Sequence, residues 1–338
     1  MAGRPEHRPQ HPGAPSGSTI RGHPPRLRHP TSFGLVEAGA YTRSVPELPE
    51  VETVRRHLAP ALEGATILRA TIADPRLTRP FAPEIVSAEL EGERVERIER
   101  RGKYLIVRLK SGRVLLVHLR MTGSFRCAPR GSLADDPHMR AVLIMDNGSD
   151  VAYRDVRRFG TWELVEPGDE RHYLASRLGP EPLEPRLSAR RLGERLAGRR
   201  ISLKGALLDQ RTLAGLGNIY ADEALWRARL HPLRVAGSLD ADELRRLHRA
   251  VRDALRLGIA RQGSTLSTYA LPSGENGSMQ DEFRAYGRAG EPCDRCGSPL
   301  ERILVGGRGT TFCPRCQDLD GAARRPPERL LVRRPGGV

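Results

Sequence analysis

The chain has 338 residues, a formal net charge of +15 and a pI near 10.5, so it is long enough for more than one core and strongly basic. Such a charge points to a polyanion partner: DNA, RNA or an acidic membrane surface. No apolar run is long enough to span a bilayer and no secretory-type apolar core is present, which leaves a soluble nucleic-acid binder. Only three of the 56 basic residues are lysines, Lys103, Lys110 and Lys204. The bias has the look of a GC-rich genome. It draws attention to the surviving lysines, because arginine stays protonated and cannot replace a lysine that must titrate.

Residues 1–44 hold seven prolines, six arginines, four histidines and two acids without apolar periodicity, and are expected to be disordered. Order begins at "PELPEVETVRRHLAPAL", where Val51, Val54, Leu58 and Leu62 recur at helical spacing. Pro49 suits the first turn of that helix, and Glu50 and Glu52 lie near its positive end. "KYLIVRLKSGRVLLVHL" reads as a β-hairpin, as does "AVLIMDNGSDVAYRD" with Asn147-Gly148 at its turn. Residues 46–175 therefore form a β-rich domain with one N-terminal helix.

A loose Pro/Glu/Arg-rich stretch, 176–195, is read as a linker to a helical region, 196–287. There Asp240 and Glu243 make a capping box, Leu244, Leu247, Val251 and Leu255 form an apolar stripe, and Gly263 is the stop. Cys293-x2-Cys296 and Cys313-x2-Cys316 have the spacing of a structural four-cysteine zinc site, placed in a finger over 288–317. Cys127 stands apart as a buried thiol. The basic tail, 318–338, is expected to be disordered. The fold class is α+β, multidomain.

Several long stretches resemble the formamidopyrimidine-DNA glycosylase family, in the family's order: "PELPEVET", "RRGKYL", "HLRMTGSF", "RDVRRFG", "LLDQRTLAGLGNIYADEALW", "FRAYGRAGEPC" and "GRGTTFCPRCQ". The resemblance covers residues 46–316. It implies an N-terminal β-sandwich with a catalytic helix, a helix–two-turn–helix domain and a β-hairpin zinc finger with one Zn2+ per chain. It also implies a bacterial, cytoplasmic, nucleoid-associated monomer that acts on double-stranded DNA containing oxidised bases.

In that family the nucleophile is an N-terminal proline, here Pro46, whose secondary amine attacks C1′ and forms a Schiff base. Glu47 corresponds to the proton donor and acceptor beside the sugar; from its position alone it would be a first-turn acid complementing the helix dipole. Glu50 has the same two readings, lesion contact or dipole partner. Lys103 matches the lysine of β-elimination and Arg308, at the finger's tip, the arginine of δ-elimination. Lys204 and Asn218 match a phosphate clamp at helix starts. Arg199 and His138 match further DNA contacts, although Arg140 stands where the family often has a second histidine. Met121, Arg157 and Phe159 match a wedge that fills the gap left by a flipped base; by composition, Met121 and Phe159 would be core residues. Residues 271–283 match a lesion-covering loop, and Lys110 is read as a solvated turn residue.

Leu48 favours the oxidised-purine branch over the pyrimidine branch, whose octet has Gly there. The rival from another class is a non-catalytic zinc-ribbon DNA-binding protein. Because an amide nitrogen has no lone pair to offer, Pro46 can act only as a chain terminus. Val45 stands where the initiator Met is expected; a GUG start codon is decoded as Met at initiation but reads as Val inside an over-extended frame, so residues 1–44 are expected not to be translated.

Overall fold

The computed structural model describes residues 45–265 and 271–319. The disorder expected of residues 1–44, and of the tail from residue 320, lies outside the described residues. The first helix, α1 (Leu48–Leu62), carries the expected stripe, with Val51, Val54, Leu58 and Leu62 all buried. A capping box starts it: the Glu47 carboxylate accepts from the N3 backbone, and the Glu50 carboxylate accepts from the Glu47 N–H at 2.9 Å.

Two antiparallel four-stranded sheets follow. One has the order β1-β6-β7-β5, from β1 (Ile67–Ile72), β5 (Gly123–Pro129), β6 (Met139–Met145) and β7 (Ser149–Asp155). The other has the order β2-β3-β4-β8, from β2 (Val95–Arg101), β3 (Tyr104–Leu109), β4 (Val114–His118) and β8 (Thr161–Val165). A short helix, α2 (Pro83–Leu90), packs on β1. Both expected hairpins form, β3–β4 and β6–β7, the second with Gly148 at φ 83°. The inner faces and α1 enclose one core around Leu105, Leu115, Phe125, Tyr153 and Trp162. The outer face of β3 and β4 is buried too, because Leu174 of α3 (Asp169–Ala175) packs on Tyr104, Ile106 and Leu116. Burial on both faces explains why β3 and β4 read as continuous apolar runs rather than alternating ones.

The second core belongs to α4 (Ala189–Leu196), α5 (Leu203–Leu208), α6 (Asn218–Ala228) and α7 (Ala241–Ala260). The Asp240/Glu243 capping box is present, and Leu247, Val251 and Leu255 are buried against α6. Leu48 leaves the first core for this one, and its N–H donates to Gly215 O at 3.0 Å, so α1 belongs to both cores. The stretch 176–195 is not loose. Ser188 caps α4 within it, and Glu181 is buried in an ion-pair network with the β2–β3 turn. Leu187 and Leu192 also enter the second core, so the stretch is packed by a few leucines and polar contacts despite its low apolar content. The finger hairpin, β9 (Glu301–Val305) and β10 (Arg308–Phe312), packs on α6.

The α6–α7 contact is tight at Gly258, where a Cβ would meet the Tyr220 ring at 2.4 Å. Alanine would gain about 1 kcal/mol of helix propensity against an overpacking cost of about 1–3 kcal/mol. Tyr220 has little freedom to yield, because its hydroxyl donates to Glu50 at 2.9 Å. Gly258→Ala is therefore expected to lose about 1–2 kcal/mol net, read as a lower urea midpoint.

Candidate active site

Glu47 stands between the two halves of the protein. Its backbone starts α1, while its carboxylate accepts N–H bonds from Gly217 at 2.7 Å, Ile219 at 2.8 Å and Tyr220 at 3.3 Å, at the start of α6. One acid thus caps two helices. A Cβ on Gly217 would sit 2.4 Å from the Glu47 carboxyl carbon, which is why glycine precedes α6. Burial pushes the Glu47 carboxyl up to about 7, with Glu50 adding to the rise, while Lys103 and the helix N–H groups pull the other way. Glu50, also raised by burial, accepts from the Tyr220 hydroxyl and from Ser264 N at 2.9 Å. It serves as an internal brace. Pro46 is buried immediately before this pair.

Glu47 opens onto a cleft of about 970 Å³ lined by Val45, Lys103, His118, Met121, Phe159, Asn218 and Arg308, among others. The wall carries six cations, Arg76, Arg79, Lys103, Arg120, Arg158 and Arg308, against the single carboxylate of Glu47, a balance suited to phosphates. The half-buried Lys103 ammonium is lowered from its usual value by burial and by Arg308, with Glu47 and Glu50 opposing. His118 is neutral: burial, Arg120 and Lys103 push it down to about 3, and its Nδ1 accepts from Arg120 N at 3.0 Å. Arg120 and Arg158 both adopt left-handed backbone, φ 52° and 59°, a costly conformation placed at the cleft wall. Both lie inside "HLRMTGSF" and "RDVRRFG", yet residue type alone did not distinguish them from surface arginines.

The wedge residues are brought together. Arg157 stacks over the Phe159 ring, 4.6 Å to its centroid, and Arg157 Nη1 meets Met121 Sδ at 2.9 Å. Phe159 is 48% exposed, which removes the core reading for it. Its loop is held from below by buried Asp155, which accepts from Gly160 N at 2.7 Å and Arg157 N at 3.2 Å.

Lys204 departs from expectation. It is fully buried, with Nζ 2.6 Å from Asp222 and donating to Thr310 Oγ1 at 2.7 Å and Gly309 O at 3.2 Å. An ammonium enclosed in this way does not face a phosphate; it docks the finger hairpin onto α6. Asn218 Nδ2 donates to the same Gly309 carbonyl at 3.1 Å, but the residue also lines the cleft. The N–H groups at the start of α6, expected to meet phosphate, are taken by Glu47. Together Lys204, Asn218 and Asp222 hold the tip from which Arg308 enters the cleft. Arg199 is committed to Asp209 at 2.6 Å and to Thr212, away from the cleft lining. His138 precedes β6, its Nδ1 facing Arg140 Nη2 at 3.4 Å, and is likewise not part of the lining. Loop 271–283 folds back onto β5, where Cys127 N donates to Pro272 O at 3.2 Å. Lys110 is exposed, as expected.

The sulfurs of Cys293, Cys296, Cys313 and Cys316 all lie within 4.8 Å of one another. A tetrahedral zinc with about 2.3 Å bonds places sulfurs about 3.8 Å apart, so the cage fits one structural Zn2+. Trp226 of α6 packs on Cys293 and Cys313, and the Arg295 guanidinium lies 3.6 Å from its ring centroid.

Two outcomes follow from this geometry. Removing zinc should release Arg295 and the knuckle from Trp226 and change its fluorescence; the only other tryptophan, Trp162, lies in the sandwich core, so Trp226→Phe should abolish the change. Secondly, the folded-state value of Glu47 lies above its ordinary 4.5. Its stability contribution is therefore complete below that value and lost as pH rises through about 7. Between pH ~5 and ~8 the parent should lose stability relative to Glu47→Gln, whose amide does not ionise, as read from denaturation midpoints at both pH values.

Comparison with known proteins agrees along the described chain. The formamidopyrimidine-DNA glycosylase N-terminal domain family matches residues 45–162, the H2TH domain of the same enzymes 178–270, and the zinc finger found in FPG and IleRS 290–319. A formamidopyrimidine-DNA glycosylase of Symbiobacterium thermophilum is 47% identical over 295 residues, covering 86% of this chain and 94% of its own. A Lactococcus lactis FPG variant solved with Fapy-dG-containing DNA superposes with TM-score 0.75 at 39% identity, covering 81% of this chain and all of the other. A MutM structure in complex with carbocyclic 8-oxo-G-containing DNA gives 0.74 at 38% identity, covering 81% of this chain and 100% of the other. This chain belongs to the formamidopyrimidine-DNA glycosylase family.

Proposed function

We propose that the protein excises oxidised purines, 8-oxoguanine and formamidopyrimidines, from double-stranded DNA and then cuts the strand at the resulting abasic site. The observation that carries this reading is a buried carboxylate with a value near 7, next to Pro46 and opposite a depressed lysine, in a cleft walled by cations. Glu47 is poised to give and take a proton at neutral pH. Lys103 and Arg308 supply positive charge where phosphates would pass. The bacterial relatives support work on DNA in the bacterial cytoplasm, and the chain is taken to act as a monomer.

In the proposed reaction the Pro46 nitrogen donates its lone pair to C1′ as the glycosidic bond breaks, and the base leaves with that bond's electron pair and takes up the proton that the nitrogen sheds. Glu47 protonates the sugar's ring oxygen, which opens the ring and gives the iminium. The Glu47 carboxylate, having given up its proton, takes one from C2′, and β-elimination expels the 3′ phosphate beside the Lys103 ammonium; a second elimination expels the 5′ phosphate, with Arg308 beside it. Zinc takes no part in these steps and holds the finger that presents Arg308. Arg157, Met121 and Phe159 occupy the space vacated by the flipped nucleotide.

Borohydride trapping tests the nucleophile. A chain beginning at Pro46 should form a covalent adduct with lesion-containing DNA, whereas a chain beginning at Met1, with that nitrogen in an amide, should bind DNA without one. A trapped Pro46 adduct in the longer chain would overturn the assignment, and absence of any adduct from both chains would favour a non-catalytic DNA-binding protein. Cleavage of 8-oxoguanine:C faster than thymine-glycol duplexes would support the purine reading over the pyrimidine one. For the wedge, Phe159→Ala should slow excision of 8-oxoguanine by at least ~10-fold more than cleavage of a pre-formed abasic site, which has no base to extrude. Equal losses on both substrates would mark Phe159 as merely structural.

A further inference from the structure

Lys103 follows a turn that is unusually well anchored. Arg100, 11% exposed, is the penultimate residue of β2 and reaches three separate parts of the protein. Its Nη1 donates to Glu181 Oε1 at 3.0 Å and Oε2 at 3.1 Å, and Nη2 donates to Oε2 at 3.1 Å. Its Nε donates to Glu52 of α1 at 3.3 Å, and Nη1 also donates to Gly102 O at 3.0 Å. Gly102 N donates back to Glu181, and Arg101 Nη2 donates to Gly179 O at 2.7 Å. The turn has no slack on its far side. Gly102 has φ +58°, and a Cβ there would meet Ala214 Cβ at 3.3 Å and Leu178 Cδ1 at 3.4 Å.

We infer that Arg100 is a positioning residue: by tying α1 and the Glu181 segment to the β2–β3 turn, it sets where Lys103 stands relative to Glu47. The inference rests on the role proposed above for Lys103. Glu47 and Glu52 lie on the start of the same helix, so the guanidinium references Lys103 to the element that carries its carboxylate partner. Only a planar fork with five donors serves two carboxylates and a carbonyl at once; an ammonium is too compact. A displacement of about 1 Å at a reacting group can cost about 100-fold in rate. A clamp remote from the cleft can therefore govern the chemistry without touching substrate.

The test uses zinc-loaded enzyme with Pro46 first and a duplex carrying a pre-formed abasic site. Arg100→Lys keeps the charge but loses the fork. It should lower single-turnover β-elimination by at least ~10-fold while the borohydride-trappable imine accumulates, because Pro46 still attacks and the next step waits. Zinc content and DNA affinity should stay at parental values. Glu52→Gln, which loosens the clamp from the helix side, should move both readouts in the same direction by a smaller factor. Elimination at the parental rate in Arg100→Lys, or trapping that falls in proportion with elimination in both variants, overturns the inference. Lys103→Met separates the two layers: normal elimination in that variant removes the role proposed for Lys103. A defect there beside a normal Arg100→Lys removes only the positioning.

Discussion

The carboxylate of Glu47 at the start of α6 is the contact on which the rest depends. The first N–H groups of a helix have no partner within it, and here they are buried at the junction of the sandwich and the helical domain. Leaving them bare would cost about 1–3 kcal/mol each. An acid from the other domain satisfies three of them, and Glu50 continues the seam through Tyr220 and Ser264. The domains are joined at this point by polar, directional bonds, so the relative placement of the cleft's two walls is specified closely. The same carboxylate faces the reacting sugar in the proposed reaction. Structural and chemical demands on Glu47 therefore cannot be separated by simple removal, since truncating it would also unmake the seam.

What was legible in the sequence was local. The Val51–Val54–Leu58–Leu62 stripe, the Asn147-Gly148 turn and the Asp240/Glu243 cap are each defined within a few residues, and each forms as expected. The cysteine cage was legible because zinc geometry constrains spacing. The grouping of Met121, Arg157 and Phe159 could be named only by resemblance; the structure brings the three together, with Phe159 exposed and stacked against Arg157.

What was not legible were the long-range polar partners. Nothing near Lys204 in the chain announces Asp222 or Thr310, and nothing in the Pro/Glu/Arg-rich stretch announces that Glu181 grips Arg100. An isolated lysine reads as solvated or phosphate-binding because burying an ammonium is costly without such partners. The three lysines illustrate the spread of outcomes: Lys103 at the cleft, Lys110 in solvent, Lys204 sealed inside.

The sealing of Lys204 bears on how such an enzyme can evolve. Its charge is covered from above by Gly309 and Thr310 of the finger and matched from below by Asp222 of α6, which also accepts from Thr311 N at 3.1 Å. Lifting the hairpin away would uncover an ion pair designed for a dry setting and strand the backbone groups that line it. The metal-bearing segment is thus no interchangeable cassette. A lineage that discarded its cysteines would first have to redraw the floor beneath them, and a transplanted finger would arrive without the surface that gives its tip a direction.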